Sequence, residues 1–126
     1  TLTLSRNGLG DSGARRLSDC LPRCLALQAV SLAHNGIGSG GVQSIAECLP
    51  HCLALEMIDL ANNDVDVDGA TVLCATLPRA PVLQTVDLSH NQVHVGNDIQ
   101  CLVHNQTISA TRVEAHSDGN VVLHRS

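Results

Sequence analysis

Three aspartates alternate with valines just before a glycine, at Asp64, Asp66 and Asp68. Alternating carboxylates followed by glycine open the calcium loop of an EF-hand, whose twelfth position must supply a bidentate glutamate. That position is Ala75 here, so the loop lacks an essential ligand. A carboxylate in the first turn of a helix is explained by capping and by the helix dipole, and we expect Asp68 to have that structural role.

Four potential metal ligands follow further along the chain, at His90, His94, Cys101 and His104. A zinc site would require their side chains to converge on one point. The repeat described below puts His90 at the end of a strand and His104 at the far end of a helix. We therefore predict no metal site and no cofactor.

Nucleophiles and bases do not group in a catalytic pattern. No Ser-His-Asp or Cys-His set falls within one unit of the chain, and the glycines recur at bends rather than in a phosphate-binding loop. We predict no catalytic residues and no small-molecule substrate, and hence that the chain is not an enzyme.

Six cysteines raise the question of a disulfide or a metal site, because a Cys-x3-Cys pair occurs twice. The paired residues are Cys20, Cys24, Cys48 and Cys52. The equivalent positions of the next unit are Thr76 and Ala80, which cannot complete such a site. We predict buried structural thiols, which fit a reducing, cytoplasmic location.

Composition limits the classes of partner. The 126 residues carry a formal charge of −5, 44% are apolar, and there is no Phe, Tyr or Trp. A chain without a basic stripe or stacking aromatics is poorly equipped for nucleic acid, and an acidic one is repelled by anionic membranes. No apolar run reaches the roughly 20 residues that span a bilayer.

The elements that position all these residues recur with a fixed period. Two columns of residues lie 28 apart: Asn7, Asn35, Asn63 and Asn91, and Leu4, Leu32, Leu60 and Leu88. Each unit reads as a short alternating strand, a bend and an amphipathic helix ended by proline. A period of this length indicates a solenoid, in which each unit buries its apolar face against its neighbours.

One strand and one helix per unit predict a parallel sheet with helices on its other side. The stack must curve with the sheet inside, because helices need more lateral room than strands. We assign residues 1–116 to about four 28-residue units plus a degenerate fifth strand, and residues 117–126 to a C-terminal turn and tail. Val121–Leu123 is a candidate for a last edge strand. We expect the chain to be the C-terminal segment of a larger protein.

The pattern Leu-x-x-Leu-x-Leu-x-x-Asn-x-Leu resembles the leucine-rich repeat, and the 28-residue period resembles its ribonuclease-inhibitor-like subclass. The resemblance implies an α/β fold, a right-handed βα solenoid or horseshoe segment with the parallel sheet on the concave face and the helices on the convex face. It also implies that the asparagine column forms a structural ladder, satisfying backbone groups at neighbouring bends.

The outward positions of the strands form columns on the concave face, the usual binding surface of a curved solenoid. The residues we expect to contact a partner are His34, Met57, Asp59, Asp87, His90 and Arg112. An alternative is that the two aspartates follow a structural habit of the family and that Arg112 neutralises Asp87 across the strands.

We therefore predict a non-enzymatic scaffold whose partner is another protein, with cytoskeletal assemblies among the settings in which the family occurs. Two alternatives stay open. One is a GTPase-activating regulator resembling Ran GTPase-activating protein, for which Arg6 is the candidate side chain at a bend. The other is the sensor segment of a NOD-like receptor.

Overall fold

The structure is a computed structural model that describes residues 1–93 and 111–125. The strands are β1 (Leu2–Thr3), β2 (Ala29–Ser31), β3 (Met57–Asp59), β4 (Thr85–Asp87), β5 (Thr111–Ala115) and β6 (Val121–Arg125). The helices are α1 (Gly10–Cys20), α2 (Ser39–Cys48) and α3 (Val67–Thr76), each followed by a 3-10 turn, at Leu21–Arg23, Leu49–His51 and Leu77–Arg79. None of the helices in these ranges is long and apolar enough to cross a membrane.

Strands β1 to β4 form a parallel sheet in perfect register with the repeat. Val30 pairs with Ile58 and Ile58 with Val86, so each residue meets its equivalent in the next unit. A proline in each 3-10 turn stops the helix and returns the chain to the next strand. The predicted parallel sheet backed by helices is confirmed.

The core consists of stacked aliphatic layers, one per unit. Val30, Leu32, Ile37 and Ile45 form the second layer, and each is completely buried. The third layer repeats it with Ile58, Leu60, Val65 and Leu73, which are equally buried. Because no aromatic ring is present, these branched chains fill thin layers between sheet and helices, and each layer depends on the next to exclude water.

A ladder of asparagine amides joins the bends. Asn63 Oδ1 accepts hydrogen bonds from the backbone N–H groups of Asn35 and Ile37, at 2.9 and 3.0 Å. Its Nδ2 donates to the carbonyls of Leu32 and Leu60, both at 3.0 Å. One side chain thus pairs backbone groups of two units. Asn35 and Asn91 also bond carbonyls of the preceding unit, whereas the side chain of Asn7 donates only within its own unit.

A β-hairpin follows the parallel strands, and its order differs from the simple continuation of the repeat. The strand next to β4 is β6, which runs antiparallel to it, and β5 lies beyond β6. Val121 and Leu123 of β6 are buried and extend the core. The guanidinium of Arg125 donates to the carbonyls of Leu77 and Pro78 and bonds that of Ala80, which anchors the hairpin to the 3-10 turn of the third unit.

We expect replacement of Asn63 by alanine to lower the free energy of unfolding by about 3 kcal/mol, roughly the cost of leaving two buried N–H groups unpaired. Asn7→Ala is the matched control, because Asn7 is exposed and its side chain donates only to Leu4 and Ser5 within its own unit. Urea unfolding followed by far-UV circular dichroism measures both. An equal loss of unfolding free energy in the two variants would contradict the conclusion that the asparagine ladder stabilises the stack of units.

Candidate functional site: the concave face of the sheet

The short strands present alternate residues to solvent. The central residue of each parallel strand points into the core, as Val30, Ile58 and Val86 do, with no exposed surface. The residues on either side therefore face the concave surface. Around Met57 these neighbours are small, namely Ala29, Ser31 and Thr85, so the thioether side chain stands above a shallow surface with 36% of its area exposed.

The register of the sheet defines two columns on this face. The first contains Ala29, Met57, Thr85, His124 and Arg112, and the second contains Ser31, Asp59, Asp87, Val122 and Glu114. Met57, Asp59 and Asp87 are therefore neighbours, as the sequence suggests.

Arg112 is placed differently from the expectation. Its cross-strand partner is His124, and β6 separates it from β4. The residue opposite Asp87 is Val122, so Arg112 does not neutralise Asp87 across adjacent strands. The reason is the antiparallel insertion of β6, which shifts the columns beyond β4. His124 takes the place beside Thr85 on the concave face. The sequence indicated this only through the apolar residues Val121 and Leu123, whose alternation directs His124 to the opposite side of the strand.

Both aspartates combine a structural contact with an outward charge. Asp59 Oδ1 accepts from the Ala61 N–H at 2.9 Å, and Asp87 Oδ1 accepts from the Ser89 N–H at 2.9 Å. Asp59 Oδ2 also accepts from the Ser31 hydroxyl at 3.2 Å. These bonds fix the carboxylates in one orientation, two residues before the bend. The alternative structural role of the two aspartates is therefore present. The two carboxylates nevertheless remain half-exposed, side by side on β3 and β4.

The residues at the strand ends have left-handed backbone angles. Arg6, His34, Asn62 and His90 have φ between 56° and 61°, a region that non-glycine residues seldom occupy. The bend enforces this geometry at the same place in every unit. His34 and His90 are exposed, two units apart along one rim, with Asn62 between them.

The hairpin adds a carboxylate held by two imidazoles. Glu114 Oε2 lies 2.8 Å from His124 Nε2, and Glu114 Oε1 lies 3.2 Å from His116 Nε2. The hydrogen bond to His116 and then that to His124 lower the pKa of Glu114 from its ordinary value. The hydrogen bond between His124 and Glu114 joins the two strands of the hairpin.

One of the aspartates considered as calcium ligands makes structural contacts instead. Asp66, not Asp68, caps α3, because its Oδ1 accepts from the Gly69 N–H at 3.1 Å and from the Ser39 hydroxyl at 2.5 Å. The Ser39 bond is the main cause of the lowered pKa of Asp66. Within residues 1–93 and 111–125 no three His, Cys, Asp or Glu side chains are grouped to hold a metal ion. His94, Cys101 and His104 lie outside the described residues.

The cysteine prediction holds for the second unit and is wrong for the first. Cys48 and Cys52 are buried, whereas Cys20 and Cys24 in the first unit are exposed. The Sγ atoms of Cys48 and Cys52 are 4.0 Å apart. Their hydrogen bond and burial raise the pKa of Cys48, and the same bond lowers the pKa of Cys52.

A direct test of the hairpin contacts is the titration of Glu114. A carboxyl whose folded pKa is lowered contributes stability above its ordinary value of 4.5, and this contribution is lost as the pH falls through the folded value. We expect a side-chain NMR titration to give a pKa below 4.5, and the double substitution His116→Ala and His124→Ala to raise it. An unchanged value in the double variant would contradict the contacts.

Comparisons with known proteins agree with this architecture. A family model for the leucine-rich repeat matches residues 1–18 and 24–46. No curated protein matches the chain. Among solved structures, the chain is similar to that of leiomodin-1 actin-binding site 2 (ABS2), with 18% sequence identity and a TM-score of 0.66.

The similarity covers 75% of this chain and 56% of the leiomodin-1 chain, so the chain spans little more than half the length of that structure. An identity this low shows the fold alone. Together with the parallel sheet, the helices behind it and the repeat match, it establishes a leucine-rich-repeat fold, a βα solenoid.

Proposed function

We propose that the chain is a non-enzymatic scaffold that binds another protein on the concave face of its sheet. The observation that carries this proposal is the group formed by Met57, Asp59 and Asp87, an exposed apolar side chain beside two oriented carboxylates on adjacent strands. Leucine-rich repeats in general serve protein recognition, which makes a protein the favoured class of partner.

The charge and the apolar surface of this group indicate which side chains of the partner would contact it. Asp59 and Asp87 face each other across the strand pair, and no cationic side chain is paired with either of them in the described residues. A partner cation between them would gain from both charges, since charge-assisted hydrogen bonds are about twice as strong as neutral ones. The contact proposed is thus an Arg or Lys of the partner seated on the two carboxylates, with apolar atoms on Met57.

The remaining predicted positions surround this group. His34 and His90 lie on the rim at the strand ends, and Arg112 stands two strands beyond β4. In the proposed complex these three form a polar margin around the central contact, where individual side chains contribute less. Membranes, nucleic acids and small molecules remain outside the proposed range of partners.

Two finer assignments belong to the same proposal. Helices of ten or eleven residues in a 28-residue repeat support the ribonuclease-inhibitor-like subclass. We also propose a cytoplasmic location, which fits the buried free thiols of Cys48 and Cys52.

The leiomodin-1 structure is that of an actin-binding site. Because the two chains share only a fold, actin is tested as one defined candidate partner. A cytosolic extract is tested beside it to capture other binding proteins. The immobilised chain is compared with the double variant Asp59→Asn and Asp87→Asn. Asparagine keeps the Oδ1 acceptor for Ala61 and Ser89 and removes only the charge.

We expect the double variant to bind the captured protein at least about tenfold more weakly, because truncating the centre of an interface typically costs more than about 1 kcal/mol per residue. Glu47→Gln, which removes an exposed carboxylate from α2, is the matched control and should bind like the parent. Equal capture by the parent and the double variant would contradict binding at this face.

A further inference from the structure

Three short segments bring the chain from the helices back to the strands, and they form one edge of the stack. We call this edge the return edge, and it consists of residues 21–28, 49–56 and 77–84. In each segment the residue after the 3-10 turn donates its N–H to the first carbonyl of that turn. Neighbouring segments are also joined, since Glu56 N donates to Gln28 O at 2.8 Å. Equivalent residues of the three units therefore lie side by side along the return edge.

The return edge carries three of the four exposed large apolar side chains in the part of the chain that the structure describes. Leu25 is 71% exposed and Leu53 is 62% exposed, at equivalent positions of the first and second units. In the third unit Pro81 takes that position and is also exposed, followed by the exposed Val82. Because the interior Leu53 is nearly as exposed as Leu25, the exposure belongs to this position of the repeat. A row of such side chains is the kind of patch that marks an interaction surface.

Cations flank this apolar row. Arg23, His51 and Arg79 are the last residues of the three 3-10 turns, and all of them are exposed. Neither arginine forms an ion pair within residues 1–93 and 111–125. The only carboxylate in the three segments is Glu56, and the first and third units have glutamine at the same position. The return edge therefore has an excess of positive charge, although the chain as a whole carries −5.

A cleft between α2 and α3 adjoins the return edge. It is lined by Pro50 and Arg79 of that edge and by Ala46 and Thr76, which are buried. Glu47 also lines the cleft, yet no ion pair joins it to Arg79 among the described residues. The guanidinium of Arg79 is thus available to a carboxylate from another molecule.

Charge distinguishes between the possible occupants of this surface. A second copy related by a two-fold axis would bring the same edge against itself, so that arginines would face arginines. An anionic membrane surface is typically recognised by about four to eight clustered basic residues, more than the return edge provides, and it repels an acidic chain. A protein segment that has carboxylates beside an apolar row matches both the charge and the apolar surface.

We propose that the return edge is a second protein-binding surface, which takes an acidic amphipathic helix of a partner protein. The apolar face of that helix covers Leu25 and Leu53, and its carboxylates bond Arg23 and Arg79. A helix suits the row because its apolar residues recur three and four positions apart and lie along one line. This inference goes beyond the function proposed for the concave face and uses none of the residues assigned to it.

The probe is a fluorescein-labelled synthetic peptide with leucines on one face of a helix and glutamates on the other. A control peptide contains the same residues in an order that breaks the helical spacing. We expect the chain to bind the first peptide saturably in fluorescence anisotropy. We expect the control peptide to bind at least about tenfold more weakly, because its leucines no longer lie along one line.

Two double variants test the two components of the surface. We expect Leu25→Ser with Leu53→Ser, and separately Arg23→Glu with Arg79→Glu, to raise the Kd of the first peptide at least about tenfold, because central contacts carry most of the binding energy of an interface. All four side chains are exposed, so both variants should keep the urea midpoint of the parent.

The matched control for charge is Arg6→Glu with Arg15→Glu. These exposed arginines lie at a bend and in α1, away from the return edge, and their replacement changes the net charge by the same amount. We expect a Kd within about twofold of the parent at physiological ionic strength, where salt screens distant charges.

The inference would be overturned by equal binding of the two peptides, by the absence of saturable binding, or by equal weakening in the control variant. Dimerisation of the parent that is lost in the Leu25→Ser and Leu53→Ser variant, measured by analytical ultracentrifugation, would assign the edge to a second copy and would also overturn it. Cosedimentation with phosphatidylserine vesicles that is lost in the same variant would overturn it in favour of a membrane surface.

Discussion

The structure depends on a buried amide shared between consecutive bends. Asn35 and Asn63 each pair two N–H groups of the preceding unit and carbonyls of both units, groups that would otherwise lack partners. Because the amide reaches only the equivalent bend, neighbouring units are held at one register. A shift of one residue would break these bonds and turn every strand inside out. The ladder thus fixes one register between neighbouring units, in which equivalent residues lie side by side.

That alignment also determines which side chains lie on the concave face, the proposed binding surface. With Ile58 and Val86 directed inward and the bends fixed, the outward residues of β3 and β4 take little part in packing. Asp59 and Asp87 use one oxygen each to fasten the strand end. The fold therefore sets the orientation of the two carboxylates, and in the proposed complex this fixed orientation lowers the entropic cost of binding.

The two ends of the stack differ in the hydrogen bonding of their outermost parallel strands. At one end β6 covers β4, accepting from the N–H groups of Leu88 and His90 through Val121 and Gly119. Its antiparallel direction ends the translational pattern, and Arg125 bonds the last 3-10 turn. At the other end β1 is an edge strand among the described residues, where it pairs with β2 alone.

The sequence by itself determined everything that repeats. The parallel sheet, the leucine layers and the asparagine ladder follow from residues 28 apart, because translational symmetry gives equivalent residues equivalent surroundings. The tertiary structure alone decided what breaks the symmetry. The insertion of β6 beside β4 moved Arg112 away from Asp87, and Cys20 and Cys24 are exposed although their equivalents in the second unit are buried. The N-cap of α3 is Asp66 because its carboxylate accepts from the Gly69 N–H at the start of the helix. Each of these outcomes depends on the exact bounds of an element or on which element lies beside a residue in space, and a periodic pattern does not determine either.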